Sequence, residues 1–157
     1  MGKKTGPNPT DRGKEGTKRS LLTDARGVPL GLAVEGANRN DFKMTQQTIE
    51  SIPVERPMPT RARPQGMCLD KGYDYDEARF VVTGYCFTPH IRCRGEEARS
   101  IRDEGFEPRR WVVERTHSWM NRFRRILVRW EKRADTYMAM LHLACGIVAR
   151  RAAGLLK

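Results

Sequence analysis

Ser20-Leu21-Leu22-Thr23-Asp24-Ala25-Arg26-Gly27-Val28-Pro29-Leu30-Gly31-Leu32-Ala33-Val34 sets the frame of the chain. Two apolar runs flank a short turn that ends in glycine, the pattern of a β-hairpin. Upstream, residues 1–19 are polar, basic and rich in Gly and Pro, with no periodicity, so the pattern predicts a loop or tail. Residues 20–157 then form the folded domain. Downstream of the hairpin, Asn38, Asn40 or Asp41 caps a helix running to about Ser51. Residues 52–66 hold four prolines and three arginines and act as a connector.

Met67-Cys68-Leu69-Asp70 is a short strand of the buried type, and Asp74 or Asp76 opens a helix through about Gly84. Cys86–Ile91 is predicted as a further strand and 92–108 as a polar loop. From Arg109 the period changes. Val113, Thr116, Met120, Phe123, Leu127 and Trp130 recur every three or four residues, one apolar helix face reaching about Trp130. Asp135 caps a last helix to about Leu156, with Tyr137, Met140, Leu141, Ala144, Ile147 and Val148 in a helical pattern. Strands alternating with helices define a mixed α/β domain.

The 157 residues suit one domain, with 38% hydrophobic and 31% charged residues. Thirty Lys and Arg against 19 Asp and Glu leave a net charge of +11, which points to a polyanionic partner, nucleic acid above all. No apolar export signal follows Met1-Gly2-Lys3-Lys4-Thr5, and no stretch has the ~18–20 uncharged apolar residues of a membrane span, so a cytoplasmic, nucleoid-associated location is expected. Cys68, Cys86, Cys93 and Cys145 form no C-x-x-C pair. Cys86, His90 and Cys93 lack a fourth ligand nearby, and packed, reduced thiols are the better reading.

Two isolated acids stand out. Asp70 ends a strand and precedes Lys71-Gly72-Tyr73, and strand C-termini are where sites collect in α/β sheets. Glu114 lies beside the apolar stripe of the long helix and shares a face with Ser118, Asn121, Arg122 and Arg125. Residues 109–133 carry nine Arg/Lys against two Glu, too one-sided for a salt-bridged surface and suited to a phosphate backbone. Each acid also has a plain reading, a turn aspartate and a solvated glutamate. Together in a cationic protein they suggest metal-dependent chemistry on a phosphodiester.

These segments look like one family. Leu69-Asp70-Lys71-Gly72-Tyr73 resembles the second-aspartate motif of bacterial insertion-sequence transposases of the DDE type, and Arg110-x-x-x-Glu114 resembles their arginine-three-glutamate signature. Arg115-Thr116-His117-Ser118-Trp119-Met120-Asn121-Arg122-Phe123-Arg124-Arg125 resembles the family's glutamate helix. Gly6-Pro7-Asn8-Pro9-Thr10-Asp11-Arg12-Gly13-Lys14, Lys18-Arg19-Ser20-Leu21-Leu22, Gly27-Val28-Pro29-Leu30 and Ala37-Asn38-Arg39-Asn40-Asp41 are similar to the insertion sequence five group, within the insertion sequence four-like superfamily. The blocks cover nearly the whole chain in order.

The resemblance implies an RNase H-like fold, a mixed sheet flanked by helices. It implies an active site of two aspartates and a glutamate holding two divalent ions, Mg²⁺ or Mn²⁺, for DNA cleavage and strand transfer. Carried over, Asp70 and Glu114 are the second and third acids, both catalytic and metal-binding. Arg110, Arg115, Arg122, Arg125, Lys71, Arg12, Lys14, Lys18 and Arg19 are the cations expected to contact DNA. The signature's tyrosine corresponds to Glu107, and its later basic position to Asn121, with Arg122 next to it.

The family's first aspartate sits on a strand just before the Gly-Pro-Asn-Pro-Thr segment, and neither Asp11 nor Asp24 fits its role. The expectation is therefore a transposase portion without its first strand and first acid, inactive alone. Its partners would be the terminal inverted repeats and target DNA, an upstream-frame product, and further copies of itself. The alternative is a non-catalytic DNA-binding remnant or regulator of transposition. An RNA-binding reading is weaker, because no RRM or KH signature occurs.

Overall fold

The computed structural model describes residues 4–91 and 110–156. β1 (Gly6–Pro7), β2 (Glu15–Thr23) and β3 (Pro29–Gly36) form an antiparallel sheet in the order β1-β2-β3. The hairpin expected around Asp24–Gly27 is present, pairing Thr17 with Gly36 through Thr23 with Pro29, with an irregularity at Leu22/Thr23. Residues expected to be loop or tail are drawn into it. β2 starts at Glu15, and Gly6 and Pro7 pair with Gly16 and Glu15. The low hydrophobicity of Glu15–Arg19 hid this extension, which is held by backbone pairing rather than by an apolar face.

β3 has four successive buried residues, Gly31 to Val34, because both its faces are covered. Gly31 faces α1 (Thr45–Glu50), which follows a 3-10 turn at Asp41–Met44. A Cβ at Gly31 would overlap the Thr48 carbonyl, so this close approach requires glycine. Leu32 and Val34 face the other way and pack with Met120, Ile126, Tyr137, Leu141 and Ala144 in the main core. This is the period-two geometry of a strand between two helical layers.

β4 (Gly66–Leu69) and β5 (Thr88–Ile91) pair in parallel, joined by a 3-10 turn at Lys71–Tyr73 and by α2 (Asp76–Gly84). α2 carries Asp76 and Glu77 in its first turn, where the helix dipole favours acids. The strand expected from Cys86 begins at Thr88, because Cys86 has a φ of 59°, incompatible with extended pairing. Ile49, Met67 and Val82 form a second apolar cluster, against which Leu22, Leu69 and Phe87 pack.

Instead of one mixed sheet, the described residues contain two. Beyond Gly16, the side of β2 away from β3 has no strand partner among the described residues, and β4 pairs only with β5. A cavity of about 40 Å³ lies where the two approach, lined by Ser20, Leu21 and Leu22 of β2, Met67 and Leu69 of β4, Thr45, Thr48 and Ile49 of α1, and Tyr73.

The long helix expected from Arg109 to Trp130 is broken. α3 spans Arg110–Asn121, and α4 is a single turn, Arg124–Leu127. Phe123 between them is extended (φ −83°, ψ 103°), and the Phe123 N–H reaches back only three residues, to the Met120 carbonyl. The buried stripe is Val112, Thr116, Met120 and then Ile126, whereas Leu127 and Trp130 are exposed. α5 (Ala134–Ala152) buries Tyr137, Leu141, Ala144 and Val148. Asp135 lies inside its first turn rather than at the cap, which is Arg133, and the expected end near Leu156 falls at Ala152. Gly154 (φ 71°) stops the helix there, with the Leu155 N–H donating to the Arg150 carbonyl and that of Gly154 to Arg151. No helix among the described residues is long and apolar enough to cross a membrane. The predicted 92–108 loop, Cys93, Glu107 and Arg109 lie outside the described residues.

Candidate acidic site and cationic surface

Asp70 follows the last residue of β4 and caps the 3-10 turn, its Oδ1 accepting the Gly72 N–H at 2.7 Å. The carboxylate is exposed at the C-terminal end of a parallel strand, as the sequence placed it. Next to it, Tyr73 is half-buried, and its hydroxyl is pushed up to about 12. Burial is the main cause, the Asp41 carboxylate adds to it, and Asp70 contributes least. Asp41, read from the sequence only as a helix cap, thus lies in the same neighbourhood, held by Lys18 at 3.3 Å. Phe42 of the first 3-10 turn stacks on Tyr75, the residue that caps α2, with ring centroids 4.4 Å apart.

Glu114 is exposed on α3, one residue ahead of the contacts that fix this helix to the hairpin turn. Asp24 Oδ1 accepts the N–H groups of Arg26 and Val28, both at 2.8 Å, which shapes that turn. Gly27 has a φ of 87° and turns its carbonyl to Thr116, whose buried hydroxyl donates to it at 2.8 Å. Arg115 donates to the Arg26 carbonyl at 2.6 Å, with its guanidinium 4.5 Å from the Trp111 ring and 4.8 Å from that of Trp119. The hairpin turn is therefore a seat for the helix that carries Glu114. Nothing in the spacing announced it, because Asp24–Gly27 and Arg115–Thr116 are about 90 residues apart.

The predicted DNA-contacting cations divide into two sets. Lys71, Arg12, Lys14 and Arg122 are exposed, and so is Arg125 although it pairs with Glu131 at 3.0 Å. Lys14 lies 3.4 Å from Asp11. Lys18, Arg19 and Arg115 are engaged within the fold. Lys18 also donates to the Arg39 carbonyl at 2.9 Å, and Arg19 donates to Asn121 Oδ1 at 2.8 Å. Burial, with Arg19 close by, lowers the His117 imidazole to about 4, so it is neutral in the folded protein. Arg110 belongs to α3, and its side chain lies outside what the structure describes.

No group of three or more His, Cys, Asp or Glu side chains is placed to hold a metal ion among the described residues. Asp70 and Glu114 are two exposed acids on separate elements.

An exposed strand-end aspartate, an exposed helix glutamate and exposed cations stand on an α/β frame. The family described as Transposase DDE domain matches residues 2–148. A Burkholderia cepacia protein named as a candidate transposase for insertion sequence element IS402 is 41% identical over 147 residues, covering 92% of this chain and 68% of that protein. No solved structure matches. The chain belongs to the DDE-type insertion-sequence transposase family.

Proposed function

We propose that this chain is the catalytic portion of an insertion-sequence transposase in which Asp70 and Glu114 are the second and third metal-binding acids. The observation that carries this reading is the pair of strand edges, on β2 and β4, left without a strand partner among the described residues around the cavity lined by Leu69 and Tyr73. An RNase H-like sheet is continuous, and one added strand between these edges would join the two sheets. That strand also brings the first acid toward the C-terminal end of β4, where Asp70 already stands. It is supplied by an upstream-frame product or a preceding segment.

In this reading Asp70 is pre-oriented by the Gly72 N–H, which holds one oxygen of the exposed carboxylate. Glu114 is placed by the hairpin seat through Arg115 and Thr116. Bound Mg²⁺ or Mn²⁺ supplies charge neutralisation and an activated nucleophile for phosphodiester cleavage and strand transfer. Lys71, Arg122, Arg125, Arg12 and Lys14 hold the sugar-phosphate backbone of the terminal repeat and target DNA. Lys18, Arg19 and Arg115 serve the fold.

The purified chain alone should cleave no terminal-repeat DNA in Mg²⁺ or Mn²⁺. Robust metal-dependent cleavage by the chain alone would refute the incomplete-site reading. Edges of β2 and β4 left without a strand partner among the described residues also favour self-association, so the isolated chain should run larger than a monomer in size-exclusion chromatography.

A further inference from the structure

Trp130 is 74% exposed, and the residues just before it, Leu127 and Val128, are 58% and 53% exposed. The apolar helix pattern had assigned Leu127 and Trp130 to packing. Their exposure is not that of a loose loop. The side chain of Arg129 pins the segment from both sides. Its guanidinium donates to the Thr17 hydroxyl at 2.9 Å and the Lys4 carbonyl at 3.1 Å, anchoring it to the first sheet, and to the Glu131 carbonyl at 3.0 Å, closing the chain around residue 130. It also lies 5.2 Å from the Tyr137 ring. A large aromatic side chain is thereby held outward on a fixed backbone.

The segment around Trp130 is cationic. Residues 122–133 carry Arg122, Arg124, Arg125, Arg129, Lys132 and Arg133 against the single acid Glu131. Glu131 is turned inward, its side chain 5% exposed, and Arg125 pairs with it at 3.0 Å. Arg133 is paired with Asp135. Arg122, Arg124 and Lys132 remain exposed with no ion pair among the described residues. An outward aromatic ring, with exposed cations near it in the chain that have no ion pair among the described residues, matches a nucleic acid strand that offers both a phosphate backbone and an unstacked base. It does not match the same patch of a second copy, which is equally positive.

We infer that Trp130 is a stacking platform for an unpaired base of DNA, with Arg122, Arg124 and Lys132 along the adjoining phosphates. This rests on the DNA-binding reading above and specifies the form of DNA: strands with unpaired bases, such as overhangs or opened ends, are held more tightly than uninterrupted duplex. Stacking on an aromatic ring is sequence-tolerant, because every base has a π-face.

The test is fluorescence anisotropy of the full chain with a labelled single strand, a blunt duplex and a duplex bearing a single-stranded overhang, at one fixed ionic strength. Trp130→Ala should weaken single-strand and overhang binding by about 5- to 100-fold and leave blunt-duplex binding within about two-fold, while Trp130→Phe keeps most of the affinity. The thermal melt of Trp130→Ala should match that of the parent, since so little of the ring is buried. Equal binding of all three DNAs by parent and Trp130→Ala overturns the inference and leaves the DNA-binding reading intact. A change in oligomeric size with unchanged DNA affinity overturns it in favour of a protein contact. Failure of the parent chain to bind any of the three DNAs overturns the DNA-binding reading itself and this inference with it.

Discussion

Replacing Gly27 with alanine tests whether the hairpin turn seats the glutamate helix. Two effects act at that position. The backbone is left-handed, with a φ of 87°, which costs a non-glycine residue about 1–2 kcal/mol. The added Cβ would also stand 2.8 Å from Thr116 Oγ1 and 3.1 Å from an Arg115 guanidinium nitrogen, displacing α3 or breaking its bonds to the turn. Loss of the buried Thr116–Gly27 hydrogen bond leaves a carbonyl unsatisfied, for about a further 1–3 kcal/mol. Gly13 supplies the control. Its φ of 72° is similar, and a Cβ there meets nothing within 4 Å. Gly13→Ala should therefore lose only the backbone share, about 1–2 kcal/mol, and Gly27→Ala about 2–5 kcal/mol. With a urea slope of about 1–3 kcal/mol per M, the two midpoints should separate by roughly 1 M. Urea unfolding followed by far-UV circular dichroism reads both variants. Equal midpoints for Gly13→Ala and Gly27→Ala would refute the seat.

Leu141 is fully buried at the centre of the main core, so Leu141→Ala should lower stability by about 2–5 kcal/mol in the same assay, whereas the 59%-exposed Leu143 should tolerate alanine. His117 is held neutral by burial, with a folded value of about 4 against 6.5 when unfolded. The unfolded chain then binds the proton first, so stability should fall as pH drops from about 6.5 to about 4, and His117→Gln should flatten that part of the curve. Asp70→Asn and Glu114→Gln should leave duplex DNA affinity unchanged or raise it, since each removes a negative charge from a cationic surface. A marked loss of affinity in filter binding would show that the carboxylates serve DNA binding rather than catalysis.

Much of the frame was legible because it rests on local signals. The hairpin followed from two apolar runs about Asp24–Gly27, and the strand ending at Asp70 from a short apolar run before Lys71-Gly72. The break at Phe123 was not legible, because no Pro or Gly marks it and the three-four spacing continues through Leu127 and Trp130. The consequence is large: those two side chains leave the core and face solvent, and Ile126 takes the buried place. Pairing of Gly6 and Pro7 with β2 was hidden because backbone hydrogen bonds leave no trace in hydrophobic pattern. The cations were the least legible part. Arg19 and Arg115 look the same in sequence as Arg122, yet the first two are committed to Asn121 and to the Arg26 carbonyl, contacts made across long separations.

The central claim is that Asp70 and Glu114 are two acids of a site completed by a strand between β2 and β4. The most direct measurement is Mg²⁺-dependent cleavage of terminal-repeat DNA by this chain co-purified with a segment that carries the family's first-aspartate strand. Cleavage that appears only in the combination, and that Asp70→Asn or Glu114→Gln each abolishes, is the predicted result. Cleavage that survives both substitutions, or that the chain alone performs equally well, would contradict the account.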